Sequence, residues 1–324
     1  MKILVTGGLG FIGSNFILYT LEKFSKHKIT NIDARLIGSN IQNLKSLKNN
    51  QNYQYIQGNI TSRQLIEKLV SQHDVVFNFA AQSHVDRSIV NPQPFVRSNI
   101  IGTFTILNAV QKFKKKLIQI STDEVFGSLK TSSATEEFPI RPSSSYAASK
   151  ASADLLAQSY HATYGTDVII TRCTNNYGPR QFPEKLIPKT TILALNNKKI
   201  PIYGKGKNIR DWLFVIDHCE AILKIFEKGK SGESYNISGH NEFDNNTIVK
   251  KILKIMGKPA DLIKHIKDRQ GHDFRYSLDS SKIEKKLQWK PSYDFEEALK
   301  YTIGWYCNNQ KWWKDITLKN FGRI

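Results

Sequence analysis

The chain opens with a short β-forming run, Lys2–Thr6, that leads straight into Thr6-Gly7-Gly8-Leu9-Gly10-Phe11-Ile12-Gly13. A strand, a glycine-rich turn and a helix start in that order restrict the fold more than any other feature of the sequence. Glycines let the backbone turn tightly and approach a pyrophosphate, while the helix start offers unpaired N–H groups and the positive end of its dipole to the anion. Glycine turns are common, so the motif alone is weak; an acid closing the next strand makes it specific. That acid is Asp33, twenty residues beyond Gly13. A carboxylate there accepts from the adenosine ribose 2′-hydroxyl and repels a 2′-phosphate, which predicts NAD rather than NADP. Arg35 would suit a 2′-phosphate, and a role for Asp33 in capping a loop is the bland alternative.

Further β-rich runs at Ile29–Asp33, Tyr53–Gln57, Val75–Phe79, Leu117–Ser121 and Val168–Thr171 alternate with amphipathic stretches. This alternation predicts an α/β fold, a doubly wound parallel sheet of Rossmann type. After about residue 172 the chain turns to Pro- and Gly-punctuated loops, a lysine-rich helical region and an aromatic tail, which predicts a smaller α+β lobe over the sheet's carboxyl edge. Trp212–Phe226 is apolar enough to return to the first lobe. The expected division is a dinucleotide-binding domain of 1–171 and about 212–236, and a substrate-binding domain of about 172–211 and 237–324.

A length of 324 residues with 40% hydrophobic content is enough for a large core. Residues 1–6 reach Gly7 without the apolar stretch of about 7–15 residues that export requires. No run approaches the roughly 18 apolar residues of a membrane span, so a soluble cytoplasmic protein is expected. Cys173, Cys219 and Cys307 are scattered, with no CxxC pair and no His/Cys spacing, so neither a metal site nor a disulfide framework is expected. Lys and Arg outnumber Asp and Glu by 47 to 28, a net charge of +19. Lysine-rich coding bias, an anionic substrate and nucleic acid are all compatible with that balance. The lysines are spread along the chain and no nucleic-acid-reading motif is present, so specific nucleic-acid binding is not expected.

Tyr146-Ala147-Ala148-Ser149-Lys150 sets a phenol and an amine four residues apart, on one face if Ala147–Tyr160 is helical. A phenol with a reference pKa near 10 is a poor base at neutral pH; a nearby ammonium and an oxidised nicotinamide would lower it. Tyr146 could then take a hydroxyl proton while hydride leaves the same carbon. Upstream, Ser121-Thr122-Asp123-Glu124-Val125-Phe126-Gly127 puts two carboxylates where a strand ends, the edge at which open α/β sheets build their sites. Side by side, two carboxyl groups push their pKa values apart, leaving one an acid and one a base. Ordinary loop acids are the bland alternative.

The fingerprint, Ser121-Thr122 and Tyr146/Lys150 together resemble the extended short-chain dehydrogenase/reductase superfamily. The Asp123-Glu124 pair narrows the resemblance to the dTDP-glucose and UDP-glucose 4,6-dehydratases. It extends along nearly the whole chain, through Ala80-Ala81-Gln82-Ser83-His84-Val85-Asp86-Arg87-Ser88, Asn175-Asn176-Tyr177-Gly178-Pro179, Phe182-Pro183-Glu184-Lys185-Leu186-Ile187-Pro188, Arg210-Asp211-Trp212, Tyr235-Asn236-Ile237 and Gly271-His272-Asp273.

The resemblance implies a catalytic set of Tyr146, Lys150, Thr122, Asp123 and Glu124. C4 of the glucose is oxidised first, because the C5 proton is not acidic until C4 is a ketone. Glu124 then removes the C5 proton while protonated Asp123 helps the C6 hydroxyl leave as water, and the hydride returns to C6. The product is a 4-keto-6-deoxy sugar nucleotide, the class from which deoxysugars such as rhamnose are made. NAD is recycled within each turnover and stays tightly bound. Its expected contacts are Gly7, Gly10, Phe11, Ile12, Gly13, Asp33, Asn59, Ile60, Ala80, Ala81, Ser98 and Asn176, with Tyr146 and Lys150. Ser83, Thr122, Asn175, Lys185, Leu186, Pro201, Tyr203, Arg210, Asn245, Arg269 and His272 are implied to hold the nucleotide sugar. His84 in isolation reads as a hydrogen-bonded structural histidine. Pro94–Phe113 and Tyr146–Tyr164 would pair with a second subunit, making a homodimer.

Several positions depart from the bacterial dTDP-glucose pattern: Asn59 for an acid, Phe126 for tyrosine, Gln270 for proline and Phe321 for a tyrosine near the C-terminus. Gln82, for glutamate, looks more like the UDP-glucose enzymes, so the nucleotide stays open. A UDP-hexose 4-epimerase or UDP-glucuronate decarboxylase shares the fold and Tyr146/Lys150 but has no need of the acid pair. A non-catalytic Rossmann protein that senses dinucleotides or binds nucleic acid would need neither pair.

Overall fold

The computed structural model describes residues 1–321, and the side chain of Phe321 lies outside the described residues. Seven strands form one parallel sheet: β1 Lys2–Thr6, β2 Lys28–Asp33, β3 Tyr53–Gln57, β4 Val75–Asn78, β5 Lys116–Thr122, β6 Val168–Cys173 and, after three short strands, β10 Ser234–Ile237. Their order is β10-β6-β5-β4-β1-β2-β3. The first six lie within a residue or two of the runs expected from sequence. The order reverses between β1, paired with β2, and β4, which opens a crevice at the strands' carboxyl ends.

Alternate side chains of each strand feed two different cores, which is why these runs are apolar throughout. Ile3, Val5, Val75, Phe77, Ile118, Ile120 and Ile169 join one cluster with Phe16 and Ile17 of helix Phe11–Lys23 and with Ile222 and Ile225 of helix Val215–Lys228. Leu4, Val76, Leu117, Val168 and Ile170 point to the other face. There they meet Ile66 of helix Arg63–Ser71, Ile106 of helix Gly102–Phe113 and Ala157 of helix Ser145–Tyr164. The sheet is therefore doubly wound.

The stretch Pro94–Phe113 is not one regular helix. A π-helical segment, Val96–Ile101, precedes Gly102–Phe113, and such an extra residue per turn redirects side chains at functional sites. Beyond β6, β7 Asn175–Tyr177, β9 Ile209–Phe214 and β11 Glu242–Asp244 make a three-stranded sheet, while β8 Ile200–Tyr203 pairs in parallel with β12 Ile263–Ile266. Trp212–Phe214 thus belongs to the three-stranded sheet, and the chain regains the large one through helix Val215–Lys228 and β10. The first core runs on without a break into Ile248, Phe295 and Leu299. No described helix is long and apolar enough to cross a membrane.

Candidate active site

An open cleft lies along the carboxyl ends of β1, β2, β4 and β5, with a lining that runs from Gly7 and Asp33 to Tyr146, Lys150 and Lys185. At one end lies the glycine turn. Gly7 sits at φ +69°, where an L side chain is strained, and a Cβ added there would come within 2.6 Å of Ala80 Cα. A Cβ on Gly13 would come within 2.6 Å of Gly7 O. Helix Phe11–Lys23 begins on this turn with no side-chain cap and no acid in its first turn, leaving its first N–H groups for an anion. The turn therefore fits the pyrophosphate of a dinucleotide.

Asp33 is 5% exposed and lines the same cleft. Its Oδ1 accepts from Arg35 N (2.7 Å) and Ser39 Oγ (2.8 Å), and its Oδ2 accepts from Leu9 N (3.0 Å). A carboxylate accepts about four hydrogen bonds, so one site on Oδ2 remains for a ribose hydroxyl. Asp33 both caps the loop and faces the cleft; the two readings are compatible. Asn59 spends Oδ1 on Thr61 N and Oγ1 (3.0 and 2.9 Å), which leaves its amide hydrogens as donors. Leu36 and Ile37, exposed apolar residues on this wall, had no signal in the sequence.

At the other end Thr122, Asp123, Glu124, Tyr146 and Lys150 converge. Ser144 caps helix Ser145–Tyr164 by accepting from Ala147 N, and the helical repeat then sets Tyr146 and Lys150 on one buried face. Tyr146 N donates to Ser88 Oγ (3.2 Å), and its ring packs on Val85 and Phe95. Thr122 Oγ1 donates to Asp123 Oδ1 (3.0 Å) and accepts from Glu124 N (3.3 Å).

Burial and then the neighbouring Glu124 push the Asp123 carboxyl up to about 8. Its Oδ2 is buried without a partner among the described residues, as suits a protonated oxygen awaiting an acceptor. Burial also raises Glu124, but Lys185, Arg210 and Arg269 pull it back. The two acids are thus driven apart, with Asp123 the better proton holder. Burial, then Glu124, push the Tyr146 phenol well above its ordinary value, against an opposing hydrogen bond from Thr122. Lys150 Nζ donates to Ile120 O (2.5 Å), and burial lowers its pKa. Lys150 is thus turned to the backbone, beside the Tyr146 phenol on the same helical face.

Of the expected cofactor contacts, Gly7, Gly10, Phe11, Ile12, Gly13, Asp33, Asn59, Ile60, Ala80, Ala81, Ser98, Tyr146, Lys150 and Asn176 all line the cleft. The Asn176 amide is already committed: Nδ2 donates to Thr174 O and Cys173 Sγ, so Oδ1 must accept from Nδ1–H of His218 (2.8 Å). His218 is fully buried, and burial pushes it down to about 3, so it stays neutral. This brace carried no signal beyond the apolar context of its helix.

Of the expected substrate contacts, Ser83, Thr122, Asn175 and Lys185 line the cleft, and Lys185 Nζ reaches Ser83 O (3.2 Å). Leu186, Pro201, Tyr203, Arg210, Asn245, Arg269 and His272 do not line it. Leu186 packs into the apolar core, Pro201 pairs with Lys264 in the β8–β12 ladder, and Asn245 N donates to Asn208 O. Arg210 donates to Ile209 O (2.7 Å), Asp273 O (2.9 Å) and Phe274 O (3.2 Å) and lies 4.3 Å over the Tyr276 ring. Tyr203 and Arg269 meet at Asp86, and the His272 ring stands edge-on to Tyr203. Arg87 and Glu184 pair at 2.9 Å and stitch two of the motif segments together. His84, 3.6 Å from Glu184, is pushed down to about 3, first by burial and then by Lys185, so it stays neutral.

Phe126, a departure from the pattern, is buried edge-on to Phe138 beneath the Arg172 guanidinium. The main chain of Gln82 is held by the Asn99 amide (2.8 and 3.0 Å) while Gln82 lines the cleft. The three cysteines are free, and no group of metal-ligating side chains occurs among the described residues.

Comparison with known proteins agrees with this arrangement. The family model described as GDP-mannose 4,6 dehydratase matches residues 4–302. A dTDP-glucose 4,6-dehydratase of Streptomyces niveus is 44% identical over 98% of this chain and 96% of its own. The crystal structure of a dTDP-glucose 4,6-dehydratase from Streptomyces venezuelae with NAD bound superimposes with a TM-score of 0.95 at 40% identity, covering 98% of this chain and 100% of the other. That of a dTDP-glucose 4,6-dehydratase from Bacillus anthracis in complex with NAD gives 0.92 at 47% identity, covering 98% and 99%.

Proposed function

The chain belongs to the GDP-mannose 4,6 dehydratase family and is an NAD-dependent sugar-nucleotide 4,6-dehydratase; from that premise we propose that dTDP-glucose is its substrate and that Tyr146, Asp123 and Glu124 carry the proton transfers. The observation that carries the assignment is the acid pair within one cleft with Tyr146: burial and Glu124 push Asp123 up to about 8, while burial raises Glu124 against the pull of three cations. An epimerase or a decarboxylase expels no hydroxyl and gains nothing from such a pair. The names of the relatives favour dTDP-glucose, while Gln82 keeps UDP-glucose as the alternative substrate.

The glycine turn at Gly7–Gly13 and Asp33 would hold NAD, which when bound accepts hydride from C4 and donates it to C6. Tyr146 takes the C4 hydroxyl proton, and Lys150 adds positive charge near the phenolate. With C4 a ketone, Glu124 removes the now acidic C5 proton and gives it back to C5 when the hydride reaches C6, and the proton taken by Tyr146 replaces the one that Asp123 loses in the water. Asp123 gives its proton to the C6 hydroxyl, which leaves as water, and Thr122 holds the Asp123 carboxyl in place through the hydroxyl donated to Oδ1. We assign 1–171 and about 212–236 to the cofactor domain and the rest to the substrate domain. The protein works as a cytoplasmic homodimer: Val96, Ile101 and Phe104 on one stretch and Leu155 and Tyr164 on another are 44–58% exposed, an apolar surface suited to a second copy.

The test is incubation of purified protein with dTDP-glucose or UDP-glucose, without reductant, read by mass spectrometry and by the alkaline absorbance of a 4-keto sugar. Loss of one water is expected from dTDP-glucose, with kcat reduced about 10³-fold in Tyr146→Phe. Interconversion with the galactose epimer and no loss of water would overturn the dehydratase assignment.

A further inference from the structure

Asp86 belongs to no step described above, yet it joins the two halves of the site. It rides on the six-residue helix Val85–Val90, whose Val85 packs on Tyr146 and whose Ser88 accepts from the Tyr146 N–H. Its carboxylate reaches across to the other half. Oδ1 accepts from Arg269 Nη1 (3.2 Å), and Oδ2 accepts from the Tyr203 hydroxyl (3.2 Å).

What Asp86 leaves uncovered on Arg269 decides its role. A guanidinium offers five N–H donors in a plane, and the edge formed by Nε and Nη2 is the fork that takes two oxygens of a phosphate. Nη1 lies away from that edge, on the Cδ side. Asp86 takes Nη1, while Arg269 Nε is buried with no partner among the described residues. A buried N–H without an acceptor is costly, so this edge is set for an acceptor the chain does not supply. The Asp86–Arg269 pair is partly exposed, 36% and 18%, and such pairs contribute little to stability. Its consequence is orientation.

We propose that Asp86 is a positioning residue: fixed by Tyr203 through one oxygen, it holds Arg269 by Nη1 so that the Nε edge is presented to the diphosphate of the nucleotide sugar. This rests on the reading of the site as one for a nucleoside-diphosphate hexose. Asp268 fixes the backbone on the same side, accepting from Arg269 N (2.8 Å) and pairing with His272 Nδ1 (2.7 Å). Arg269 also lies close enough to Glu124 to lower its pKa, so an arginine set free would disturb both binding and the base.

The experiment is a double-mutant cycle on the NAD-loaded protein with dTDP-glucose, using Asp86→Ala, Arg269→Ala and both together, with Asp86→Asn as the conservative variant. Asp86→Ala should raise KM about tenfold and lower kcat by less, with Asp86→Asn between it and the parent. In the Arg269→Ala background the Asp86→Ala effect should shrink to about twofold or less, because the two act as one unit. Equal effects in both backgrounds, or an unchanged KM, would show that Asp86 does not act through Arg269. A lowered KM would show instead that Asp86 competes with the diphosphate for the guanidinium, and would also overturn the proposal. Absence of turnover in the parent protein would count against the functional reading itself, whereas normal turnover with no coupling counts against Asp86 alone.

Discussion

The cofactor half of the cleft is built from backbone that is close in sequence, whereas the substrate half is built from side chains that arrive from distant segments. Gly7 to Gly13 and Asp33 form their end within two strands and a turn, and their geometry follows from φ angles and the absence of Cβ atoms. Lys185, Arg210 and Arg269 are held in other ways: by Ser83 O, by the carbonyls of Ile209, Asp273 and Phe274, and by Asp86. A backbone cradle is preorganised and tolerates no added atom. A set of long cations held by separate contacts can be adjusted one residue at a time. The first arrangement suits a cofactor that stays bound through every turnover, and the second suits a substrate that enters and leaves.

The sharpest way to break this comparison is to add one methyl group to the cradle. A Cβ on Gly13 would stand 2.6 Å from Gly7 O and 2.9 Å from Gly8 Cα, both backbone atoms that cannot move aside cheaply. Gly13→Ala should weaken NAD binding about 10²-fold, or about 2.7 kcal/mol, measured by titration of cofactor-stripped protein. Retention of NAD at parental affinity would mean that the turn is more pliable than its packing shows.

A smaller effect is expected where one cation changes shape and keeps its charge. Arg210 spreads its guanidinium over three carbonyls and a tyrosine ring, which an ammonium cannot reproduce. Arg210→Lys should raise KM for the nucleotide sugar about tenfold, or about 1.4 kcal/mol, and leave NAD affinity at the parental value. Because the charge of Arg210 helps to lower the Glu124 pKa and lysine keeps that charge, the acid limb of the pH–rate profile should stay where it is. A loss of NAD affinity equal to the loss of substrate affinity would erase the distinction between the halves.

The same difference explains what could be read from the sequence. The glycine turn, Asp33, the acid pair and the Tyr146/Lys150 spacing are local patterns, each set by a strand end or a helical repeat, and the cleft contains all of them. The long-range braces were not legible. His218 holds Asn176 from 42 residues away, and Asp86 holds Arg269 from 183 away; neither separation has a period. The places of Leu186, Pro201 and Asn245 outside the cleft lining were not legible either, because a position within a motif does not say which way a side chain faces. The direction of Lys150 was equally out of reach, since helical spacing places it beside Tyr146 but not on the Ile120 carbonyl.

The last expected effect lies at the junction of the two halves and concerns stability. In the folded chain Asp123 is pushed up to about 8 from an ordinary value of 3.8 by burial and by Glu124. A carboxyl whose folded pKa is raised binds its proton more tightly than the unfolded chain does. Its contribution is complete below the unfolded value and is lost as pH climbs through the window from 3.8 to about 8. Asn cannot ionise, so Asp123→Asn should match the parent near pH 4 and gain on it steadily up to pH 8, with no further change above. The Tm difference should widen steadily across that window and level off above it, read by thermal melts of cofactor-free protein. A difference that stays flat with pH would mean that Asp123 ionises normally and that the acid pair is not split. The dehydration would then need another proton donor for the C6 hydroxyl, and the substrate half would lose the one feature that makes it more than a binding surface.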